Sequence, residues 1–354
     1  MDLILSEILF FRNKIDIVDE SIINLVHKRL ILVSKVGKIK SKCGIPIYIP
    51  ERELSLLNSR RLIAEELKLP KGLIEDLMKR IMYESYLREY SHGFKKVNKN
   101  IKSIVIINDN NCTGILFKKM LKLSNYKVYF FNSKEIDKIN NIKFKIDMVI
   151  ISVSNKTLKE IMLFIINLPK KCILVNLNII SYERLKLILY IHKGPVLLLQ
   201  PKFNSNAYHI TKETIFYYNG RNMESYKWFL NQIKIWGVIL KKITNIKNNK
   251  DIMFIDFLKF FFYFIYGLDL VKNKKLSSSL NFLPIPYDDF NLKDISLFFK
   301  NNLDLYIDNI LSNKENKKIF IEDYLEKITK IIDLIKNNKE LFLKKIEEIK
   351  EYFK

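Results

Sequence analysis

The chain has 354 residues, of which 48% are hydrophobic and 28% charged, and its formal net charge is +23. This composition is that of a globular protein, and the length allows two or three domains. The lysines are spread along the whole chain among Asn and Ile, without a basic arm or a nucleic-acid motif. We therefore expect no nucleic-acid partner, although the charge would attract small anionic substrates.

The N-terminal residues mix charges into apolar positions from Asp2 onward, which argues against a secretory signal. The longest apolar run, at 257–268, is interrupted by a lysine and falls short of the roughly 20 residues that a membrane helix needs. Three cysteines lie far apart without metal-ligand spacing: Cys43, Cys112 and Cys172. We expect a cytoplasmic protein with no membrane contact, metal site or disulfide framework.

The first predicted element is a long helix from about Ile4 to Lys40, in which Gly37 is the one glycine and proline is absent. Its apolar residues alternate at spacings of three and four, which is typical of a helix that packs along a seam. They are Ile8, Phe11, Ile15, Val18, Ile22, Leu25, Leu32, Val36 and Ile39. At about 1.5 Å per residue the helix would run on the order of 55 Å, so we expect it to pair with a second copy.

Three cations on this helix are candidates for ligand binding. Arg29 interrupts the apolar seam, and Lys40 follows eleven residues later, within about 20° on the same face. Arg12 precedes Arg29 by seventeen residues and so lies about 25 Å away on another face. It cannot serve the same site within its own chain, but it could reach the site of a partner.

Two shorter helices follow and bring further polar groups. The second is predicted to begin at Pro50 and carries Arg52 and Glu53 in its first turn. The third places Ser85 and Glu89, four residues apart, on one face. Together these residues indicate a closed, cationic pocket in a helical bundle. The alternative is that the seam arginine snorkels or pairs with a carboxylate and that the other charges are solvated.

Beyond "SHGFKKVNKNIKS", short apolar runs alternate with helical segments, which predicts a parallel sheet of dinucleotide-binding architecture. The runs are "SIVII", "KVYFF", "DMVIISV", "CILVNL" and "PVLLL", and from about residue 251 the pattern turns helical. The stretch "IVIINDNNCTG" at 104–114 predicts a strand, a loop and a helix, as at a dinucleotide site, but nearly all the glycines are absent.

The segments "RNKIDIVDESIINLVHKRLILVSKVGKIKSKCGIPIYIPERE", "HKGPVLLLQP" and "YKWFLNQIKIWG" carry a resemblance. The first ~90 residues resemble the all-helical chorismate mutases, and the whole chain resembles the bifunctional chorismate mutase/prephenate dehydrogenase (T-protein) family. This resemblance implies a three-helix mutase bundle in an intertwined homodimer at 1–92 and a linker at 93–102. A Rossmann-like α/β domain at 103–250 and an all-α dimerisation domain at 251–354 would follow.

The resemblance also implies the conversion of chorismate to prephenate in tyrosine biosynthesis, without cofactor or metal. Arg29 and a partner's Arg12 would bind the substrate carboxylates, and Lys40 and a protonated Glu89 the ether oxygen. Glu53 would bind the ring hydroxyl, with Arg52 and Ser85 in the pocket wall. Ile49 stands where some mutases place an Asp, a departure that T-proteins share.

The dehydrogenase motifs depart from the family pattern. Its glycine-rich fingerprint falls on Asp109, Asn111 and Gly114, and its ribose-binding acid on Asn132. The family's catalytic His aligns with Gln200, which cannot act as a base, and its substrate-binding Arg with Lys259. Ile179 and Ser181 replace a Ser and a Lys of the relatives. We expect NAD binding and dehydrogenase activity to be lost.

Alternatives remain at this point. Asn108, Asn110 and Asn111 could rebuild the phosphate-binding turn with positive φ, while Gly114 keeps the helix close to the strand. The chain would then be the full bifunctional enzyme, which oxidatively decarboxylates prephenate to 4-hydroxyphenylpyruvate with NAD. A third hypothesis makes the C-terminal half a regulatory or interaction module that binds tyrosine or another protein.

Overall fold

The structure is a computed structural model that describes residues 2–352 except 71, 110, 136–137, 139–144, 179, 203–209, 247–257, 259, 266, 269–271 and 273–313. The chain divides into two compact units, with the boundary after residue 247.

Three helices form the N-terminal bundle of the first unit. They are α1 (Asp2–Cys43), α2 (Pro50–Glu66) and α3 (Leu73–Tyr90). Pro50 occupies the first turn of α2, where its missing N–H costs nothing. The predicted long helix is confirmed, and at about 1.5 Å per residue α1 spans roughly 63 Å.

The apolar seam of α1 is not covered within its own chain. The nine seam residues named above are all exposed, with 43% to 64% of their surface accessible. A row of large apolar side chains on this scale marks an interaction surface.

A seven-stranded sheet of order β2-β1-β3-β4-β5-β6-β7 follows the bundle. Its strands are β1 (Ile104–Asn108), β2 (Val128–Asn132), β3 (Met148–Ser152), β4 (Ile173–Leu177), β5 (Val196–Lys202), β6 (Thr214–Arg221) and β7 (Ile239–Lys242). The first five strands are the predicted ones, and they pair in parallel. The last two strands were not predicted: β6 pairs antiparallel to β5, and β7 pairs parallel to β6.

Helices connect the strands and pack on the sheet. They are α4 (Cys112–Leu123), α5 (Asn155–Glu160), α6 (Met162–Ile166), α7 (Tyr182–Ile191) and α8 (Lys227–Ile235). Strands β1, β3 and β4 are buried along their whole length, as expected for central strands covered on both faces.

The bundle and the sheet share one hydrophobic core. Tyr90 at the end of α3 and Phe94 just after it pack in the same cluster as Phe117, Phe229 and Trp236. The indole of Trp236 is fully buried and donates a hydrogen bond to Ser124 Oγ at 2.8 Å. The bundle is therefore held against the sheet by continuous apolar packing.

In the second unit the described residues other than Asn338 are helical, in agreement with the helical pattern predicted from about residue 251. Most of residues 251–313, on which that prediction also falls, lie outside the described residues. The helices with defined bounds are α9 (Lys314–Asn337) and α10 (Lys339–Tyr352), and residues 260–265 are also helical. Among the helices described in either unit, none has the length and apolarity needed to cross a membrane.

Candidate active site in the helical bundle

A buried ion pair joins α1 to α3. Lys40 Nζ lies 2.8 Å from Glu89 Oε2, and the two side chains are 17% and 8% exposed. The same ammonium donates to the carbonyl oxygen of Ile47 at 2.9 Å. The close approach of the helices depends on Gly37, because a Cβ there would lie 2.9 Å from both Glu89 Cα and His92 Cδ2.

Two opposing effects act on the Glu89 carboxyl. Burial disfavours its charged form, while Lys40 and the nearby Arg29 favour it. Burial has the larger effect, so the pKa of Glu89 is raised above its ordinary value. A carboxyl with a raised pKa can carry the proton needed to donate a hydrogen bond.

Arg29 lies on the same side of the bundle, nearer the middle of α1. Its Nη1 donates to Ser85 Oγ at 2.5 Å, and Ser85 Oγ donates to the carbonyl of Ile81 at 2.8 Å. Burial lowers the pKa of the Arg29 guanidinium, which still leaves it cationic at neutral pH. The structure thus brings together the four predicted residues Arg29, Lys40, Ser85 and Glu89.

Glu53, on the first turn of α2, stands in a second polar cluster. Its Oε2 accepts a hydrogen bond from the hydroxyl of Tyr86, and its Oε1 lies 2.6 Å from Lys212 Nζ. Tyr48 packs edge-on against Tyr86 with ring centroids 6.0 Å apart. Burial, followed by the hydrogen bond to Glu53, raises the pKa of Tyr86.

Two predicted residues lie apart from these clusters. Arg12 is exposed on α1, about 25 Å along the helix axis from Arg29. Arg52 is exposed in the first turn of α2, next to Glu53. Neither makes a side-chain contact with the other predicted residues in the part of the chain that the structure describes.

Three residues of these clusters were not predicted from the sequence: Tyr48, Tyr86 and Lys212. Tyr86 directly follows the predicted Ser85, and Tyr48 lies in the loop just before α2, so proximity to predicted residues was the available signal. No sequence signal marked Lys212, because it contacts Glu53 across 159 residues of chain.

At the carboxyl edge of the sheet, the predicted phosphate-binding loop is satisfied by its own side chains. Asn111 caps α4: its Oδ1 accepts from Gly114 N at 3.0 Å and from Ser152 Oγ at 2.9 Å. The Asp109 carboxylate accepts from Ser154 N at 2.9 Å. The Asn111 amide oxygen thus accepts from an N–H group at the start of α4 that a pyrophosphate would need as a donor. The Asp109 carboxylate lies beside Ser154, the residue before α5.

The alternative in which asparagines rebuild the turn with positive φ is wrong at two positions. Asn111 has a φ of −81°, and Asn108 is the last residue of the extended strand β1. Asn110 lies outside the described residues. Gly114 does keep the helix close to the strand as expected, because a Cβ there would overlap the Asn108 side chain.

The side chain of Asn108 is buried next to the loop. Its side chain fills the space beside Gly114, and its Oδ1 is a buried acceptor without a hydrogen-bond donor among the described residues. Because this acceptor is closed off from solvent, the misfit rests on Asn111, whose amide oxygen already accepts from Gly114 N, a donor that an acceptor-rich phosphate would need. The residues present do not fit the pyrophosphate of NAD.

The remaining dehydrogenase positions make local contacts. Asn132 Oδ1 accepts from Lys134 N at 3.0 Å, Ser181 Oγ caps α7 by accepting from Arg184 N at 3.2 Å, and the buried Gln200 Oε1 accepts from Ile180 N at 3.1 Å. Lys259 and Ile179 lie outside the described residues. Among the residues that are described, no group of three or more His, Cys, Asp or Glu is arranged to hold a metal ion.

Comparisons with known proteins match the bundle and the part that follows it to different proteins. Residues 11–90 match the family described as chorismate mutase type II. A solved prephenate dehydrogenase from Aquifex aeolicus covers 70% of this chain and 98% of its own, with a TM-score of 0.53 and 16% identity. The bundle is therefore a chorismate mutase domain, and the part that follows has the prephenate dehydrogenase fold.

Two curated relatives extend over nearly the whole chain. The T-protein of Enterobacter agglomerans is 35% identical over 349 residues, which is 98% of this chain and 93% of that protein. The T-protein of Haemophilus influenzae is 33% identical over 344 residues, which is 97% of this chain and 91% of that protein. The chain belongs to the T-protein family.

Proposed function

We propose that this chorismate mutase acts in tyrosine biosynthesis, through the pocket between α1, α2 and α3, and that its dehydrogenase half is inactive. The observation that carries the proposal is the buried Lys40–Glu89 pair at 2.8 Å, with Arg29 on the same side of the bundle. A dianion and an ether oxygen need these groups: cations for the carboxylates, and hydrogen-bond donors for the oxygen.

The rearrangement of chorismate to prephenate is pericyclic, so the site needs to position its substrate rather than supply a nucleophile. Arg29 would clamp one carboxylate by charge-assisted hydrogen bonds and hold the flexible substrate in its reactive conformation. Negative charge grows on the ether oxygen as its bond breaks, and Lys40 and protonated Glu89 would both donate to it. Glu53 would accept from the ring hydroxyl, while Arg52 and Ser85 would line the pocket.

A second copy of the chain would complete the site. The exposed apolar seam of α1 supports this, since pairing of two such helices would cover it. Arg12 would then lie in the partner's pocket and bind the second carboxylate, a role that its distance from Arg29 rules out within one chain. We propose a cytoplasmic homodimer with two equivalent composite sites.

The C-terminal half would act as a scaffold, because the loop after β1 does not fit NAD. The full bifunctional enzyme is the competing function, and no contact in the described residues favours it. A product analysis separates the two: purified protein is incubated with chorismate, with and without NAD⁺, and the acids formed are identified. Prephenate in both reactions supports the proposal, whereas 4-hydroxyphenylpyruvate formed only with NAD⁺ refutes the inactive half.

The pocket itself is tested by Arg29→Ala, with Arg88→Ala, an exposed arginine on α3, as the matched control. Loss of the carboxylate clamp should lower kcat/KM by at least about 10²-fold, while the control keeps wild-type activity. Full activity of Arg29→Ala would show that chorismate binds elsewhere.

A further inference from the structure

One charged contact to the mutase bundle comes from the sheet domain rather than from the helices. Lys212 lies between β5 and β6, and its ammonium is 2.6 Å from Glu53 Oε1 on α2. The Glu53 side chain is 13% exposed and that of Lys212 36%. The contact is therefore partly shielded from water, on the carboxylate side above all.

The backbone of Lys212 is fixed in place. Its N–H donates to the carbonyl of Gly237 at 2.9 Å, and its φ of 69° lies in the left-handed region that a lysine seldom adopts. A strained conformation of this kind persists when the surroundings determine it, and it is common at functional sites. The ammonium thus reaches Glu53 from a backbone position that is held by a hydrogen bond to Gly237.

Two aromatic rings flank the ammonium. Lys212 Nζ lies 5.3 Å from the ring centroid of Tyr48 and 5.2 Å from that of Tyr86, both within cation–π range. Since Tyr86 also donates to Glu53 Oε2, each carboxylate oxygen has its own donor. The plane of the carboxylate is therefore set by two residues, one from each domain.

Two consequences follow for a substrate that approaches Glu53. Each carboxylate oxygen has two lone pairs, so the carboxylate can still accept a hydrogen bond from a ring hydroxyl. An uncompensated carboxylate would repel a dianion, and the ammonium of Lys212 offsets that charge.

We propose that Lys212 is a positioning residue of the mutase site: held by the sheet domain, it orients and neutralises Glu53 for the substrate's ring hydroxyl. The inference rests on the proposed function and adds a requirement for the second domain. A domain without a working dinucleotide site would then still contribute directly to the mutase reaction.

The test uses Lys212→Asn in the full chain, because Asn tolerates positive φ while removing the ammonium. Lys68→Asn is the matched control, since Lys68 is exposed and also left-handed, with a φ of 54°. Glu53 meets a hydroxyl present in both ground and transition states, so Lys212→Asn should raise KM for chorismate about fivefold with kcat unchanged. Lys212→Arg should recover most of the loss.

A double-mutant cycle shows whether Lys212 acts through Glu53. In a Glu53→Gln background, Lys212→Asn should have no further effect on KM, whereas a general structural role would lower activity equally in both backgrounds. Lys212→Gln repeats the cycle if Lys212→Asn does not fold. An unchanged KM, or an equal effect in both backgrounds, would overturn the positioning role. A wild-type chain that does not convert chorismate would instead refute the proposed function.

Discussion

The protonation of Glu89 should be visible in both the activity and the stability of the protein. If Glu89 must be protonated to donate to the ether oxygen, activity is full below its raised pKa and falls about tenfold per pH unit above it. Glu89→Gln keeps a hydrogen-bond donor at every pH, and its amide oxygen can still accept from Lys40. The variant should therefore stay active through the pH range in which wild type loses activity.

The stability follows from the same titration. Because burial raises the pKa of Glu89 above its ordinary value of 4.5, the folded chain binds more protons than the unfolded chain between these two values. The contribution of the protonated carboxyl is fully present below 4.5 and is lost as the pH rises through the folded pKa. From this group the free energy of unfolding falls by up to about 1.4 kcal/mol per pH unit in that window.

Chorismate assays measure the activity and urea titrations measure the free energy of unfolding, both at a series of pH values from about 4 to 9. This range lies on both sides of the raised pKa of Glu89. Glu84→Gln is the control, since Glu84 lies on the same helix with a 42% exposed side chain. It should change neither profile. Equal pH dependence of activity in wild type and Glu89→Gln would refute the donor role, and equal stability slopes would refute the raised pKa.

Three further outcomes are expected. Gly37→Ala should lower both Tm and mutase activity, because the added methyl group forces α1 away from Glu89 and His92. This displacement costs about 1–3 kcal/mol, which exceeds the roughly 1 kcal/mol that alanine gains in helix propensity. A raised Tm would contradict the close packing at Gly37. Arg12→Ala and Arg29→Ala chains, each inactive alone, should recover about a quarter of wild-type activity when they are unfolded, mixed and refolded together. Half of the dimers then contain one chain of each kind, and each such dimer has one intact site out of two. No recovery would place Arg12 outside the partner's pocket. Millimolar NAD⁺ should leave Tm unchanged in thermal scans, and a rise of several degrees would mean that the loop after β1 still binds it.

The sequence predicted what depends on local pattern. The long α1 followed from apolar spacing without proline, and β1 to β5 followed from short apolar runs. Strand β6 contains the short apolar run "IFYY" at 215–218, and β7 begins within "VIL" at 238–240, but these runs were not recognised as strands. Both strands are only partly buried, and polar residues follow each run at once, so the apolar signal is weaker than in β1 or β3.

The candidate site was predictable to the extent that helical periodicity places residues on one face. Lys40 and Glu89 lie on different helices, and their meeting followed from the family resemblance rather than from spacing. The contact of Lys212 with Glu53 depends on tertiary packing of two domains, which periodicity cannot report. The absence of glycines from the loop after β1 was visible in the sequence. That the side chain of Asn108 fills the space and that of Asn111 accepts the hydrogen bonds there could be seen only in the structure.

The hydrogen bond from Ile47 N to the carbonyl of Ile235, at 3.3 Å, affects the order in which parts of the protein reach their final structure during synthesis. Ile47 also accepts from Lys40, so the loop between α1 and α2 is tied at once to the ion pair and to the end of α8. A ribosome makes Lys40 long before it makes Ile235, and the bundle can become helical in that interval. The hydrogen bond from this loop to Ile235 forms only after α8 has been synthesised and has folded onto the sheet. A partly synthesised chain can therefore form the mutase helices before the loop reaches its final structure.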